Sequence, residues 1–74
     1  MNNMTTPLSP DTPIENLHLS VRSYNCLKRA LVNTVGELSA LTPEELLAIR
    51  NLGVRCFDEI TDALTAAGLR LRET

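Results

Sequence analysis

The chain has 74 residues and a formal net charge of -2, with 43% hydrophobic residues, thirteen of them leucine, but only 3% aromatic residues. That composition suits one small helical domain and argues against a β-sandwich. Two cysteines and one histidine cannot build the usual four-ligand zinc site, and no apolar run approaches the roughly 20 residues that cross a bilayer. The first residues lack the basic and apolar regions of a secretory signal. A cytoplasmic domain with reduced thiols and no metal, cofactor or membrane partner is expected.

In chain order, residues 1–13 (MNNMTTPLSPDTP) are rich in Pro, Thr and Asn and read as a disordered tail or linker. Residues 14–72 read as one helical domain. Ile14, Leu17 and Leu19 open it as an apolar segment. Ser20 is an N-cap for a helix from Val21 to Leu31, and Val21, Tyr24, Leu27 and Leu31 recur at helical spacing toward a core. Thr34 with Glu37 predicts a capping box for a second short helix that buries Val35, Leu38 and Leu41. Thr42-Pro43-Glu44-Glu45 predicts a third start, with Leu46, Leu47 and Ile49 as its apolar face. Asn51-Leu52-Gly53 breaks the pattern, and a last helix from Val54 to Ala67 follows, with Phe57, Ile60 and Leu64 inward. Gly68 closes it and Leu69 packs back. The expected fold class is all-α, a compact bundle of four to five short helices with a helix–hairpin–helix-like unit.

The charge is unevenly spread. Arg22, Asn25, Cys26 and Arg29 form one stripe of the first long helix, read as lying opposite its core residues. From Ser20 to Leu31 there are three bases and no acid, and Arg50 to Cys56 adds Arg50 and Arg55, again without an acid. These stretches carry +5 and the remaining residues -7, the pattern of a small nucleic-acid face on an acidic body. Gly53 exposes backbone N–H groups at a helix start, a site that favours phosphate, although Leu-Gly between helices is commonly no more than a tight turn. Cys26 and Cys56 read as small, semi-buried side chains, and Glu44, Glu45, Asp58 and Asp62 as a solvated acidic face. No Walker loop, HExxH or GxSxG is present, so an enzyme is not expected.

The run Pro13-Ile14-Glu15-Asn16-Leu17-His18-Leu19-Ser20-Val21-Arg22-Ser23-Tyr24-Asn25-Cys26-Leu27-Lys28 resembles the opening of the C-terminal domain of the bacterial RNA polymerase alpha subunit. Asn51-Leu52-Gly53, Glu59-Ile60 and Ala66-Ala67-Gly68-Leu69 are similar to its hairpin, last helix and ending. The resemblance covers about Pro13 to Leu71. It implies a non-catalytic transcription module that binds the minor groove of A·T-rich upstream promoter DNA. Transcription activators, sigma factor and RNA polymerase are its implied protein partners, with the isolated domain a monomer. The key groove-entering arginine corresponds to Arg22. Asn25 and Cys26 correspond to its DNA-facing neighbours, Gly53, Arg55 and Cys56 to the phosphate-gripping hairpin, and Glu59 to an acid that orients the arginine. Arg29 and Arg50 extend the basic face. Glu15, Thr42, Glu44 and Glu45 match protein-contact positions. Asn16 and His18 replace acids that face sigma factor in the family, Val54 replaces a basic residue, and Cys56 a serine.

Those replacements support a second reading, a free-standing protein-interaction module of the same fold with little DNA affinity. A third reading, redox gating of DNA binding by Cys26 and Cys56, requires both thiols on the DNA-facing surface and Cα atoms roughly 4.4–6.8 Å apart.

Overall fold

Three of the four α-helix starts among the described residues are capped by a serine or threonine hydroxyl that accepts from a first-turn N–H group. The computed structural model describes residues 9–73. It comprises a 3₁₀ turn Ile14–Leu17 and four α-helices: α1 Val21–Arg29, α2 Val35–Ser39, α3 Pro43–Leu47 and α4 Gly53–Ala66. The bundle is all-helical, as expected; the one β-bridge among the described residues pairs Pro13 with Thr34. Among the described residues no helix is long and apolar enough to cross a membrane.

The two predicted capping boxes are present. Thr34 Oγ1 accepts from Glu37 N–H at 3.1 Å while Glu37 Oε1 accepts from Thr34 N–H at 3.1 Å. Thr42 and Glu45 repeat the exchange, with Pro43 at the first helical position. The first two N–H groups of α2 are bonded from further away. Val35 N–H donates to Thr12 O at 2.8 Å and Gly36 N–H to Pro10 O at 2.9 Å. A Cβ on Gly36 would stand 2.8 Å from Pro10 O, so the glycine is what lets this strap lie down. Residues 9–13 thus make these contacts within the stretch read as tail; residues 1–8 of that stretch lie outside the described residues.

α4 packs against α1 and α3. Ile14, Leu27, Val35, Leu38, Leu46, Leu52, Ile60 and Leu64 are almost fully buried between them. Each such side chain contributes about 1.5–3 kcal/mol of transfer free energy, so the core depends on one or two leucines from each short helix. Leu71, near the end of the sequence, is buried as well, and Arg72 fixes that segment through its N–H to Leu41 O at 2.9 Å and its Nε to Ala40 O at 2.8 Å.

Helix α1 departs from the sequence reading. Val21 and Leu31 are 75% and 77% exposed, and the buried stripe is Ser23, Cys26 and Leu27, with Tyr24 half-buried. The stripe is displaced by about one residue, roughly 100° of helix rotation. Hence Cys26 lies on the core side and not on the polar stripe with Arg22, Asn25 and Arg29. The helix also ends sooner: Leu31 has φ +64°, its N–H donates to Lys28 O and Val32 N–H donates to Leu27 O at 2.9 Å. This is a Schellman closure with leucine at the left-handed position. α4 closes in the same way, with Gly68 at φ +80° and Leu69 N–H on Leu64 O at 2.8 Å. Leu47 is 46% exposed because α3 has only five residues and turns just Leu46 fully inward.

A left-handed leucine costs about 1–2 kcal/mol that a glycine avoids, part of which is offset by the greater freedom of glycine in the unfolded state. Leu31→Gly is expected to stabilise the domain by about 0.5–1 kcal/mol in chemical denaturation. A destabilised variant would show that the exposed side chain packs in solution.

Candidate nucleic-acid interface

The first turn of α1 contains no acid of its own. The carboxylate that serves it comes from α4. Glu59 Oε2 accepts from Ser20 N–H at 2.6 Å, and Glu59 Oε1 from Ser20 Oγ–H at 2.9 Å and Ser23 Oγ–H at 2.5 Å. Ser20 Oγ in turn accepts from Ser23 N–H at 3.3 Å. An anion at a helix N-terminus is favoured by the helix dipole and by the free donors there. The Ser23 and Ser20 donors hold the Glu59 carboxyl below the usual carboxylate range.

This network sets α1 against the start of α4. Arg22, Arg55, Gly53, Cys56 and Glu59 then line one shallow cleft of about 330 Å³. Arg22 and Arg55 are exposed and form neither ion pair nor hydrogen bond among the described residues. The ion pairs present, Arg70–Glu73 and Arg72–Glu45, both involve the C-terminal segment. Glu59 bonds to the cap of α1 and makes no ion pair with the Arg22 guanidinium among the described residues, so its link to Arg22 runs through the placement of α1. Asn25 is exposed one turn further along α1.

Gly53 has φ +77°, and a Cβ there would meet nothing within 4 Å. Glycine is required at this position by backbone conformation and not by crowding within the domain. Asn51 also occupies the left-handed region, at φ +66°. α4 is the one α-helix among the described residues whose start is not capped by a side-chain oxygen, and it has no acid in its first turn. Residues Leu52 to Cys56 at this start line the cleft.

Two expectations about the basic face change. Lys28 lies 5.7 Å from the Tyr24 ring centroid; the pKa of Glu15 is lowered first by a backbone hydrogen bond and by Tyr24, and that of Glu37 by the Asn33 and Thr34 N–H groups, with the Lys28 charge a smaller contribution to both. It belongs to the side of α1 facing those acids, which leaves four arginines in the two basic stretches: Arg22, Arg29, Arg50 and Arg55. Cys26 and Cys56 are free thiols, each only 6% exposed, largely buried side chains that each form part of the wall of a surface recess. Cys26 Sγ–H donates to Asn51 O at 3.4 Å and ties α1 to the hairpin.

The acidic protein-contact candidates separate into two places. Glu15 in the 3₁₀ turn accepts from Tyr24 Oη–H at 2.9 Å. Glu44 and Glu45 stand at the start of α3, where Thr42 is buried and its hydroxyl engaged in the cap. Glu45 Oε1 receives Thr42 N–H at 2.9 Å and Arg72 at 3.4 Å, which lowers its pKa. Sequence reasoning named Ser20 as a cap but missed Ser23 and Asn51. A serine inside a helix, where it has little intrinsic preference, was the available signal for the first.

The depressed Glu59 pKa fixes the sign of an acid dependence. Its contribution to stability is present above the ordinary carboxylate range near about pH 4.3 and is lost as pH falls through the lower folded value. Glu59→Gln is expected to cost about 1–2 kcal/mol at neutral pH, discounted for its partial exposure. It is also expected to flatten the acid limb of the Tm profile below about pH 4. An acid limb identical to that of the native protein would contradict the network.

Comparison with known proteins agrees with this geometry. Residues 4–66 match the family described as the C-terminal domain of the bacterial RNA polymerase alpha chain. DNA-directed RNA polymerase subunit alpha of Cutibacterium acnes is 52% identical over 63 residues, covering 85% of this chain and 19% of that protein. The Leifsonia xyli subunit is 55% identical over 62 residues, covering 84% and 19%. The chain thus spans about a fifth of the length of these curated relatives. The NMR structure of the C-terminal domain of the RNA polymerase alpha subunit from Helicobacter pylori superposes with a TM-score of 0.75 at 30% identity, covering 96% of this chain and 70% of that one. A four-helix bundle with that match in sequence and in shape is a transcription module, and the chain belongs to the family formed by the C-terminal domains of bacterial RNA polymerase alpha subunits.

Proposed function

We propose that this chain binds the minor groove of A·T-rich upstream DNA and contacts transcription regulators beside RNA polymerase, the helical unit at residues 14–72 serving as the binding domain. The observation that carries the reading is the cleft in which Arg22 and Arg55, both without an acidic partner, flank the uncapped start of α4. The minor groove is only about 6 Å wide and is narrower in A-tracts, where its negative potential is concentrated. A thin, permanently charged guanidinium suits that space. In this reading Arg22 enters the groove, Asn25 bonds a sugar or phosphate, and Arg55 with the Gly53-side N–H groups holds the backbone. Such readout senses groove shape and A·T content in place of a base-by-base code. Glu59 acts indirectly, through the cap of α1. The buried Cys26 and Cys56 support the packing beneath this face. Glu44 and Glu45, with Glu15 separately, are the acidic surfaces offered to activators or sigma factor.

Val54, 67% exposed at the mouth of the cleft, favours the second reading of a protein-interaction module, because an apolar side chain there adds nothing to phosphate affinity.

Two substitutions separate the readings. Arg22→Ala is expected to abolish retardation of an A-tract duplex while stability changes by no more than about 0.5 kcal/mol, as for other exposed positions. Undiminished DNA binding by that variant would overturn the role given to Arg22, and a native protein that does not retard the A-tract duplex would leave the protein-interaction reading standing. Val54→Lys is expected to tighten DNA binding and steepen the dependence of log K on log salt by about 1; an unchanged slope would place Val54 away from the backbone.

A further inference from the structure

A second pair of arginines repeats the arrangement of the first. Arg29, from the last turn of α1, and Arg50, from the turn before α4, line a pocket of about 400 Å³ with Cys26, Ala30, Ile49 and Asn51. No carboxylate lines it, both arginines are exposed, and neither is ion-paired among the described residues. The Cys26 thiol donates to the backbone carbonyl of Asn51 at 3.4 Å, and the Asn51 side chain makes no hydrogen bond among the described residues.

We infer that this pocket is a second phosphate site, in which Arg29 and Arg50 grip one phosphate from two sides and the Asn51 amide donates to it. Two like charges brought together without an acid repel each other until an anion arrives. Paired planar guanidiniums match the several oxygens of a phosphate better than the two of a carboxylate. The favoured source is the DNA backbone. Arg22 and Arg29 are seven residues apart on α1, two turns and about 10.5 Å along one face. Arg50 and Arg55 flank the hairpin glycine on the opposite side. Each pair therefore joins α1 to the segment around Gly53. Backbone positions about 10 Å apart along α1 are of the order needed for long arginine side chains to reach both sides of one wall of a groove about 6 Å wide. The choice of DNA as the source rests on the reading of the first cleft; the phosphate chemistry of the pocket does not.

The test uses the intact protein and the double variant Arg29→Gln/Arg50→Gln, whose fold is checked by circular dichroism. With an A·T-rich duplex, the variant is expected to bind roughly tenfold more weakly at about 0.1 M salt. Its salt slope should be shallower by about 1, while the preference for A·T over G·C is retained. In a separate NMR titration with inorganic pyrophosphate, the amides of Arg29, Arg50 and Asn51 in the native protein should shift and saturate, and those shifts should vanish in the variant. An unchanged salt slope together with saturating pyrophosphate shifts supports the phosphate pocket and overturns DNA as its source. No response in either titration overturns the pocket itself. If the native protein fails to bind the duplex, the function proposed above falls, and pyrophosphate alone decides this inference.

Discussion

Glu59 is part of α4, yet its carboxylate caps α1. Three hydrogen bonds from Ser20 and Ser23 replace the local acid that α1 lacks in its first turn. The bond has a directional consequence. Ser23 must face α4 to reach the carboxylate, so α1 is rotated until Ser23, Cys26 and Leu27 are inside. Val21 is thereby turned out, and Arg22 comes to line the same cleft as Gly53 and Arg55. Position of the arginine, exposure of the valine and burial of the cysteine are three results of one contact.

Charge follows the same logic. The one acid lining the Arg22 cleft already accepts three hydrogen bonds, so it serves the helix start more than it cancels a neighbouring arginine. Elsewhere acids and bases are used up in local structure. Glu37 and Glu45 close capping boxes, Arg72 pairs with Glu45 and holds the C-terminal segment, and Lys28 serves Tyr24 and its acidic neighbours. With Arg70 paired to Glu73, the four remaining arginines, Arg22, Arg29, Arg50 and Arg55, make no ion pair among the described residues. A net charge of -2 therefore says little about the partner, because electrostatic recognition depends on where charge is left uncompensated.

Much of this was legible in the sequence for a physical reason: caps and turns are local. Thr34 with Glu37, Thr42-Pro43 with Glu45, and Gly68 each specify a helix end from a few adjacent residues, and each is found where expected. The rotation of α1 was not legible, because it is set by a partner 36 to 39 residues away. Its end at Arg29 was missed because Leu31 continues the apolar period and is not a glycine; the local Schellman bonds from Leu31 and Val32 show that it is the closing residue. The candidate arginines were identifiable as acid-free stretches, but their division into two pairs across α1 and the hairpin required the fold. Cys26 was misplaced by the same rotation that misplaced Val21.

The central claim is that the Glu59 carboxylate, ionised and bonded to Ser20 and Ser23, sets the position of Arg22. The most direct measurement is a pH titration by NMR that follows the Glu59 carboxyl carbon, the Ser20 amide and the Arg22 Nε together in the native protein. The Glu59 midpoint is expected below the ordinary carboxylate range, with the Ser20 and Arg22 signals moving at that same midpoint. A Glu59 that titrates at the ordinary value, with an Arg22 signal indifferent to it, would show that the carboxylate does not position the arginine.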